Sequence, residues 1–197
     1  MANYLSHDCV NSAEGVIGEL TVPGNGGGDI FAECMWYRWV YDKITTEFSD
    51  LSLKMRNMPD PVIAREKIWV PFMRDEMKIG ENSVIIGHSS GAVAAIRFSE
   101  IYKVHGIILV GAYTTDCGLE NERLAGYFNR PWLWDKAREN TNWIVQFGSE
   151  DDPFLDWNEQ LEVSKQLNTE FHKFKDRGHF QSIVFPEVIK VLKDKIK

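Results

Sequence analysis

The stretch from Val84 to Ala95 constrains the fold of this chain more than any other part of the sequence. It begins with branched apolar residues that predict a buried strand, and it ends with a run of small residues that predicts a helix. Between the two lies the pattern Gly87-x-Ser89-x-Gly91, with no spacer on either side. Where a strand turns this sharply into a helix, the backbones come so close that only glycine fits two positions before and after the middle residue. The spacing therefore predicts a strand–turn–helix unit that exposes the Ser89 side chain at the carboxyl edge of a sheet.

A serine held in this way is typical of a nucleophile elbow. Its hydroxyl is a poor nucleophile alone, so it needs an imidazole to take its proton and a carboxylate to orient that imidazole. The pattern therefore predicts a histidine and an acid that reach Ser89 from other loops. The alternative interpretation is a buried serine in an ordinary turn.

Strand and helix patterns alternate along the rest of the chain, with connections long enough for parallel pairing. The predicted strands are 16–22, 51–55, 84–86, 104–110, 142–148 and 171–174. The pattern predicts an α/β fold of the compact alpha/beta-hydrolase type, with a doubly wound, mainly parallel sheet of about six strands and helices on both faces. Ligands of such sheets bind at the carboxyl ends of the strands.

The length of 197 residues fits one domain. We predict a weakly ordered N-terminal extension over residues 1–15 and a single hydrolase-type domain over residues 16–197. Residues 111–142 follow a strand and are rich in aromatic side chains, so we expect a small cap-like insertion over the active site. Trp132 and Trp134 of this insertion, together with Phe154, are candidates for a substrate pocket. The alternative is that the two tryptophans anchor the insertion to the core.

Charge and cysteine content limit the kinds of molecule that the chain is expected to bind. The net charge of −7 without a basic run argues against nucleic-acid binding, and no apolar stretch approaches the roughly 20 residues of a membrane span. The three cysteines are widely spaced, which favours reduced thiols over a disulfide framework or a zinc site. We therefore expect a cytoplasmic or nuclear protein that acts on a small molecule without a metal.

The first predicted strand runs into a glycine-rich segment, Gly24-Asn25-Gly26-Gly27-Gly28. The segment lacks Gly-Lys-Ser/Thr and the dinucleotide fingerprint, so no phosphate-bearing cofactor is expected. A loop at this place can instead give a backbone N–H to an oxyanion hole, with a second N–H from the residue after the nucleophile. Asn25 and Ser90 are the predicted donors. A flexible turn is the alternative.

Chain order limits the choice of base and acid. In a fold of this type the order is Ser, then Asp or Glu, then His, each in a loop after a strand. His172 and His179 follow a suitable acid, and His179 is favoured because it lies in a loop whereas His172 lies within a strand pattern. Spacing alone does not choose the acid. The candidates are Glu150, Asp151 and Asp152 after the fifth strand, and Asp116 after the fourth.

Eight short strings occur in one order along the chain. They are PGNGGGD (23–29), NMPDP (57–61), GHSSGA (87–92), ENER (120–123), GYF (126–128), RPW (130–132), QFGS (146–149) and GHFQ (178–181). Together they closely resemble the retinoblastoma-binding protein 9 family of small serine hydrolases. The resemblance implies that Ser89 is the nucleophile, Asp152 the acid and His179 the base of a Ser-His-Asp acyl-enzyme mechanism. Together with the elbow and the glycine-rich segment, these three residues predict cleavage of a small ester or amide substrate, and no cofactor is expected.

Two departures from the family limit what the resemblance implies. The first strand contains Gly18-Glu19 instead of a plain apolar run, and residues 1–15 have no counterpart. The Leu-x-Cys-x-Glu pattern that retinoblastoma-type pocket proteins bind is absent, and the chain reads Met77-Lys78-Ile79-Gly80-Glu81 before the elbow strand. Binding to such proteins is therefore not predicted. The alternative function is a catalytically silent hydrolase scaffold that acts as a protein-interaction module.

Overall fold

The computed structural model describes residues 18–25 and 35–196. The predicted extension over residues 1–15 and the glycines at 26–28 lie outside this part. The strands are β1 (Gly18–Val22), β2 (Ser52–Met55), β3 (Ser83–His88), β4 (Val104–Val110), β5 (Thr141–Ser149) and β6 (Glu170–Phe174). The helices are α1 (Trp36–Glu47), α2 (Glu66–Asp75), α3 (Ser90–Ser99), α4 (Glu120–Ala125), α5 (Trp134–Glu139), α6 (Trp157–Leu167) and α7 (Pro186–Lys195).

The strands form one parallel sheet in the order β2-β1-β3-β4-β5-β6. Alternate residues of the central strands point to opposite faces, each of which carries a separate apolar core. Ile107 and Leu109 of β4 pack on one side with helices α2, α3, α5 and α6, while Ile108 and Val110 pack on the other with α1 and α7. Burial on both faces explains why these strands appear in the sequence as unbroken apolar runs. The predicted doubly wound parallel sheet is confirmed.

The helix that contains Pro71 differs from the prediction. The sequence predicts a helical segment over residues 62–78 that is interrupted near Pro71, because proline has no N–H to donate within a helix. The predicted interruption is wrong, since α2 is continuous from Glu66 to Asp75. Trp69, Val70 and Met73 are buried on its inner face, and this burial holds the helix together across the missing hydrogen bond.

Helix α3 holds the segment between β4 and β5 through one buried side chain. The guanidinium of Arg97 is fully buried and donates hydrogen bonds to the backbone carbonyls of Tyr127, Arg130 and Pro131. It also pairs with Glu100 at 2.7 Å. The same helix follows the elbow, so residues 126–131 are fixed relative to Ser89. None of the helices in the described part of the chain is long and apolar enough to cross a membrane.

Candidate active site

Ser89 lies in a strained turn between β3 and α3. Its backbone has φ 54° and ψ −122°, a region that residues with a side chain rarely adopt. The Ser89 N–H donates to the Val110 carbonyl at 2.9 Å, which fixes the turn against the neighbouring strand. A Cβ atom at Gly87 would come within 2.5 Å of the Gly91 carbonyl oxygen, so glycine is required there. The turn therefore has the geometry of a nucleophile elbow.

His179 and Asp152 meet in a buried hydrogen bond. His179 Nδ1 lies 2.8 Å from Asp152 Oδ2, with the two side chains 9% and 0% exposed. The other carboxylate oxygen of Asp152 accepts the N–H groups of Phe154 and Leu155, at 2.9 and 3.1 Å. The carboxylate is thus held from both sides, and its contact with Nδ1 leaves Nε2 of His179 free of the proton.

The other candidate acids and the other candidate histidine have different partners. Asp151 accepts from Ser149 Oγ at 2.6 Å and from the Gly178 N–H at 2.8 Å, so it fixes the loop that contains His179. The hydrogen bond from Ser149 is the main reason that the pKa of Asp151 lies below its ordinary value. Asp116 accepts from the N–H of Gly118 in a local turn. His172 lies on β6 and contacts Glu170.

His88 connects the loop of His179 to helix α1 and, through Tyr37 of that helix, to the loop after β1. Its Nε2 lies 2.9 Å from the His179 carbonyl oxygen and must therefore carry the proton. Its Nδ1 then accepts from the Tyr37 hydroxyl at 2.6 Å, and that hydroxyl accepts from the Gly24 N–H at 3.3 Å. Burial, followed by the charge of His179, lowers the pKa of His88 to about 3. The residue before Ser89 is consequently a neutral, buried group.

The predicted oxyanion donors lie beside Ser89. The loop after β1 passes so close that a Cβ at Gly24 would be 3.1 Å from Ser89 Cβ. Asn25 follows and lines the same cavity as Ser89. Ser90 is the first residue of α3, where backbone N–H groups have no partner within the helix and the helix dipole favours negative charge.

A cavity of about 350 Å³ opens over Ser89 and His179. Met58, Trp69 and Leu119 give its wall apolar surface, and Phe154 lines it with its ring 5.0 Å from that of His179. The lining includes neither Trp132 nor Trp134. Those rings stack on each other at 4.9 Å and pack against the core, which fits the alternative that they anchor the insertion.

Cys117 also lines this cavity. Burial, and then the charge of Glu159, raises the pKa of its thiol to about 12. The thiol is protonated at neutral pH, so Cys117 is not an activated nucleophile. Within the described part of the chain, no group of three or more His, Cys, Asp or Glu side chains could hold a metal ion.

The sequence analysis missed Glu122 and Tyr113. Glu122 of α4 is 4% exposed and accepts from Asn25 Nδ2 at 2.5 Å and from the Tyr113 hydroxyl at 2.7 Å. All of the first four residues of α4 are charged or carry an amide, so no apolar pattern marks which of them is buried. No sequence signal singles out Glu122.

A family model and several similar proteins match most of the length of this chain. A family model described as serine hydrolase matches residues 20–190. Serine hydrolase RBBP9 of Rattus norvegicus is 53% identical over 174 residues, which are 88% of this chain and 92% of that protein. The ydeN gene product of Bacillus subtilis superposes with a TM-score of 0.78 at 20% identity, covering 90% of this chain and 97% of that one. MGS-M2, an alpha/beta hydrolase from a deep-sea metagenome library, superposes with a TM-score of 0.61 at 13% identity, covering 97% and 90%. These two structures show the alpha/beta-hydrolase fold.

Proposed function

The chain belongs to the serine hydrolase family, and we propose that it cleaves small ester or amide substrates through an acyl-enzyme intermediate on Ser89. One observation carries the proposal: His179, which is hydrogen-bonded to the buried Asp152, lines the same cavity as Ser89 in its strained turn. This is the arrangement that a hydroxyl nucleophile needs.

Acylation begins when His179 Nε2 takes the proton of Ser89 Oγ while Oγ forms a bond to the substrate carbonyl carbon. The carbonyl oxygen becomes an oxyanion, which the N–H groups of Asn25 and Ser90 stabilise. His179 then gives its proton to the leaving group, and the bond between carbon and leaving group breaks. Asp152 accepts from Nδ1 throughout, so it holds the tautomer and stabilises the imidazolium.

Deacylation repeats these steps with water as the nucleophile. His179 takes a proton from the water, whose oxygen attacks the acyl carbon, and the oxyanion again faces the same two N–H groups. Collapse of the second tetrahedral intermediate breaks the bond to Oγ. His179 returns the proton to Ser89, and the carboxylic acid leaves.

The size of the cavity supports a small substrate. About 350 Å³ is near the lower end of the range for small-molecule sites, which is roughly 300–1,000 Å³. Apolar side chains of Met58, Trp69 and Leu119 offer surface for an acyl or leaving group. Short-chain p-nitrophenyl esters are therefore suitable first probes.

Covalent labelling with a fluorescent fluorophosphonate tests the proposal. We expect the adduct on Ser89, identified by mass spectrometry of the modified peptide. Ser89→Ala should lose the adduct and lower kcat for p-nitrophenyl acetate by at least about 1,000-fold, because removal of a triad member usually costs several orders of magnitude. The matched control is Ser182→Ala, which removes an exposed hydroxyl from the loop after His179.

Two outcomes would contradict the proposal. Full esterase activity of folded Ser89→Ala would place the chemistry elsewhere. A folded wild-type protein without adduct would mean that Ser89 is not activated, and would favour the interaction module.

A further inference from the structure

Glu122 places a carboxylate in the wall of the cavity that holds Ser89, where its side chain is nearly inaccessible to solvent. Its Oε1 accepts from the side-chain amide of Asn25 at 2.5 Å, and its Oε2 accepts from the Tyr113 hydroxyl at 2.7 Å. The Ser90 hydroxyl lies between them, 3.4 Å from Glu122 Oε1 and 3.3 Å from the Tyr113 hydroxyl. The carboxylate thus connects both predicted oxyanion donors.

The donors around Glu122 are neutral. A buried carboxylate loses several kcal/mol of hydration unless hydrogen bonds or a cation replace the water. Within the described residues Glu122 forms no ion pair, so the hydrogen bonds from Asn25 and Tyr113 replace the lost hydration of its carboxylate. Burial, and then the charge of Glu122, raises the pKa of Tyr113 well above its ordinary value, which keeps the phenol proton available for donation. The carboxylate and its donors therefore hold one another in place.

Asn25 is the residue that most needs such a support. Glycine precedes it and three glycines follow it in the sequence, and glycine loses more conformational freedom on ordering than any other residue. A backbone N–H stabilises an oxyanion only when it is held at hydrogen-bond distance from the position where the charge develops. The bond from its side chain to Glu122 joins this loop to α4, across 97 residues of sequence.

We propose that Glu122 is a positioning residue of the oxyanion hole: it holds the backbone N–H of Asn25, through the Asn25 side chain, and supports Ser90 through its hydroxyl. The inference rests on the proposed function. It gives the segment between β4 and β5 a role in catalysis through α4.

Removal of the carboxylate should lower kcat selectively. In Glu122→Ala, the Asn25 amide and the Tyr113 hydroxyl lose their acceptor, and the Asn25 loop gains freedom. We expect kcat for p-nitrophenyl acetate to fall about 10-fold to 100-fold with KM within about twofold, because the N–H groups act on the tetrahedral state more than on bound substrate. Glu122→Gln should recover part of the loss, since its single carbonyl oxygen can still accept from Asn25.

A double-mutant cycle tests whether Glu122 acts through Asn25. Asn25→Ala keeps the backbone N–H but removes the side chain that Glu122 holds. The double variant with Glu122→Ala should therefore have a kcat within about twofold of the more impaired single variant. The matched control is Glu120→Gln on the same helix, where the exposed carboxylate pairs with Arg123, and its kcat should stay within about twofold of wild type.

Wild-type kcat in folded Glu122→Ala and Glu122→Gln would overturn the inference. A change in KM alone, or losses that multiply in the double variant, would do the same. Fluorophosphonate labelling carried to completion distinguishes failure of this inference from failure of the proposed function. An adduct on Ser89 in Glu122→Ala with wild-type kcat overturns this inference alone, whereas a folded wild-type protein without adduct overturns the proposed function and this inference with it.

Discussion

His88 is buried with both ring nitrogens engaged, and this has a consequence for stability. Its pKa of about 3 in the folded protein lies far below the ordinary value of 6.5, mainly because burial disfavours the charged ring. The unfolded chain binds a proton at this residue below pH 6.5, whereas the folded protein does not. The contribution of neutral His88 is therefore fully present above pH 6.5 and is lost as the pH falls toward 3.

We predict that His88 makes the free energy of unfolding steeply dependent on pH. Between pH 7 and pH 5 its titration should lower that free energy by about 2 kcal/mol in wild type. In His88→Gln this component is absent, although the variant is less stable at pH 7 because one of its hydrogen bonds is lost. Urea denaturation at the two pH values measures the difference. Equal losses in wild type and variant would show that His88 does not carry it.

Residues of the site differ in how well the sequence predicts them. Ser89 is predictable because the glycines at 87 and 91 report the geometry of the turn itself. Asp151 and Asp152 are adjacent, and only the direction of each side chain decides that Asp152 meets His179. That direction depends on loop geometry, so the residues alone left the acid open and the resemblance supplied it. Contacts that depend on distant segments, such as that between Glu122 and Asn25, have no local pattern.

The close approach of helix α3 to strand β3 fixes the geometry of the turn that holds Ser89. The three nearest neighbours of a Cβ at Gly87 are backbone atoms of Gly91 and Ala92, at 2.5, 2.7 and 2.8 Å. Backbone cannot rotate away as a long side chain can. The start of α3 would have to move, and Ser89 would move with it.

We predict that Gly87→Ala lowers the free energy of unfolding by about 3 kcal/mol or more and also lowers kcat. Gly80→Ala is the matched control, since a Cβ at Gly80 meets nothing within 4 Å. The control should unfold within about 0.5 kcal/mol of wild type. Urea denaturation and ester hydrolysis of both variants make the comparison. A Gly87→Ala protein as stable as the control would mean that β3 and α3 separate at little cost.

Burial decides which elements the sequence predicts well. Strand β4 matches its predicted range at both ends because apolar residues fill both of its faces. Helix α5 was not predicted, since its sequence Trp-Asp-Lys-Ala-Arg-Glu buries only Ala137 and shows no apolar period. Elements with little apolar burial depend on packing against the rest of the molecule.

The parallel strands of the sheet bring the residues of the candidate site together at its carboxyl edge. Ser89 follows β3, Asn25 follows β1, and these strands are neighbours in the sheet. Asp152 and His179 follow β5 and β6, which are neighbours at the other end. This convergence follows from alternating strands and helices, so the sequence predicts it. The path of residues 111–142 does not follow from that rule, because specific polar contacts determine it.

Arg97 provides the main polar contacts of this kind. Its fully buried guanidinium bonds to Glu100 and to three carbonyls of residues 127–131, and it stacks 3.7 Å from the centre of the Trp132 ring. In Arg97→Met the side chain keeps much of its apolar volume, but these carbonyls lose their donor inside the protein. Loss of one partner from a buried charged network usually costs about 3–5 kcal/mol.

We therefore predict that Arg97→Met lowers the free energy of unfolding by about 3 kcal/mol or more in urea denaturation at pH 7. Arg123→Met is the matched control, because Arg123 pairs with Glu120 on the surface of α4, where an exposed ion pair contributes little to the free energy of unfolding. The buried arginine also joins the segment that carries α4 to the helix behind Ser89, so kcat should fall in Arg97→Met and not in the control. Equal stability of the two variants would mean that apolar packing alone holds residues 126–131 in place.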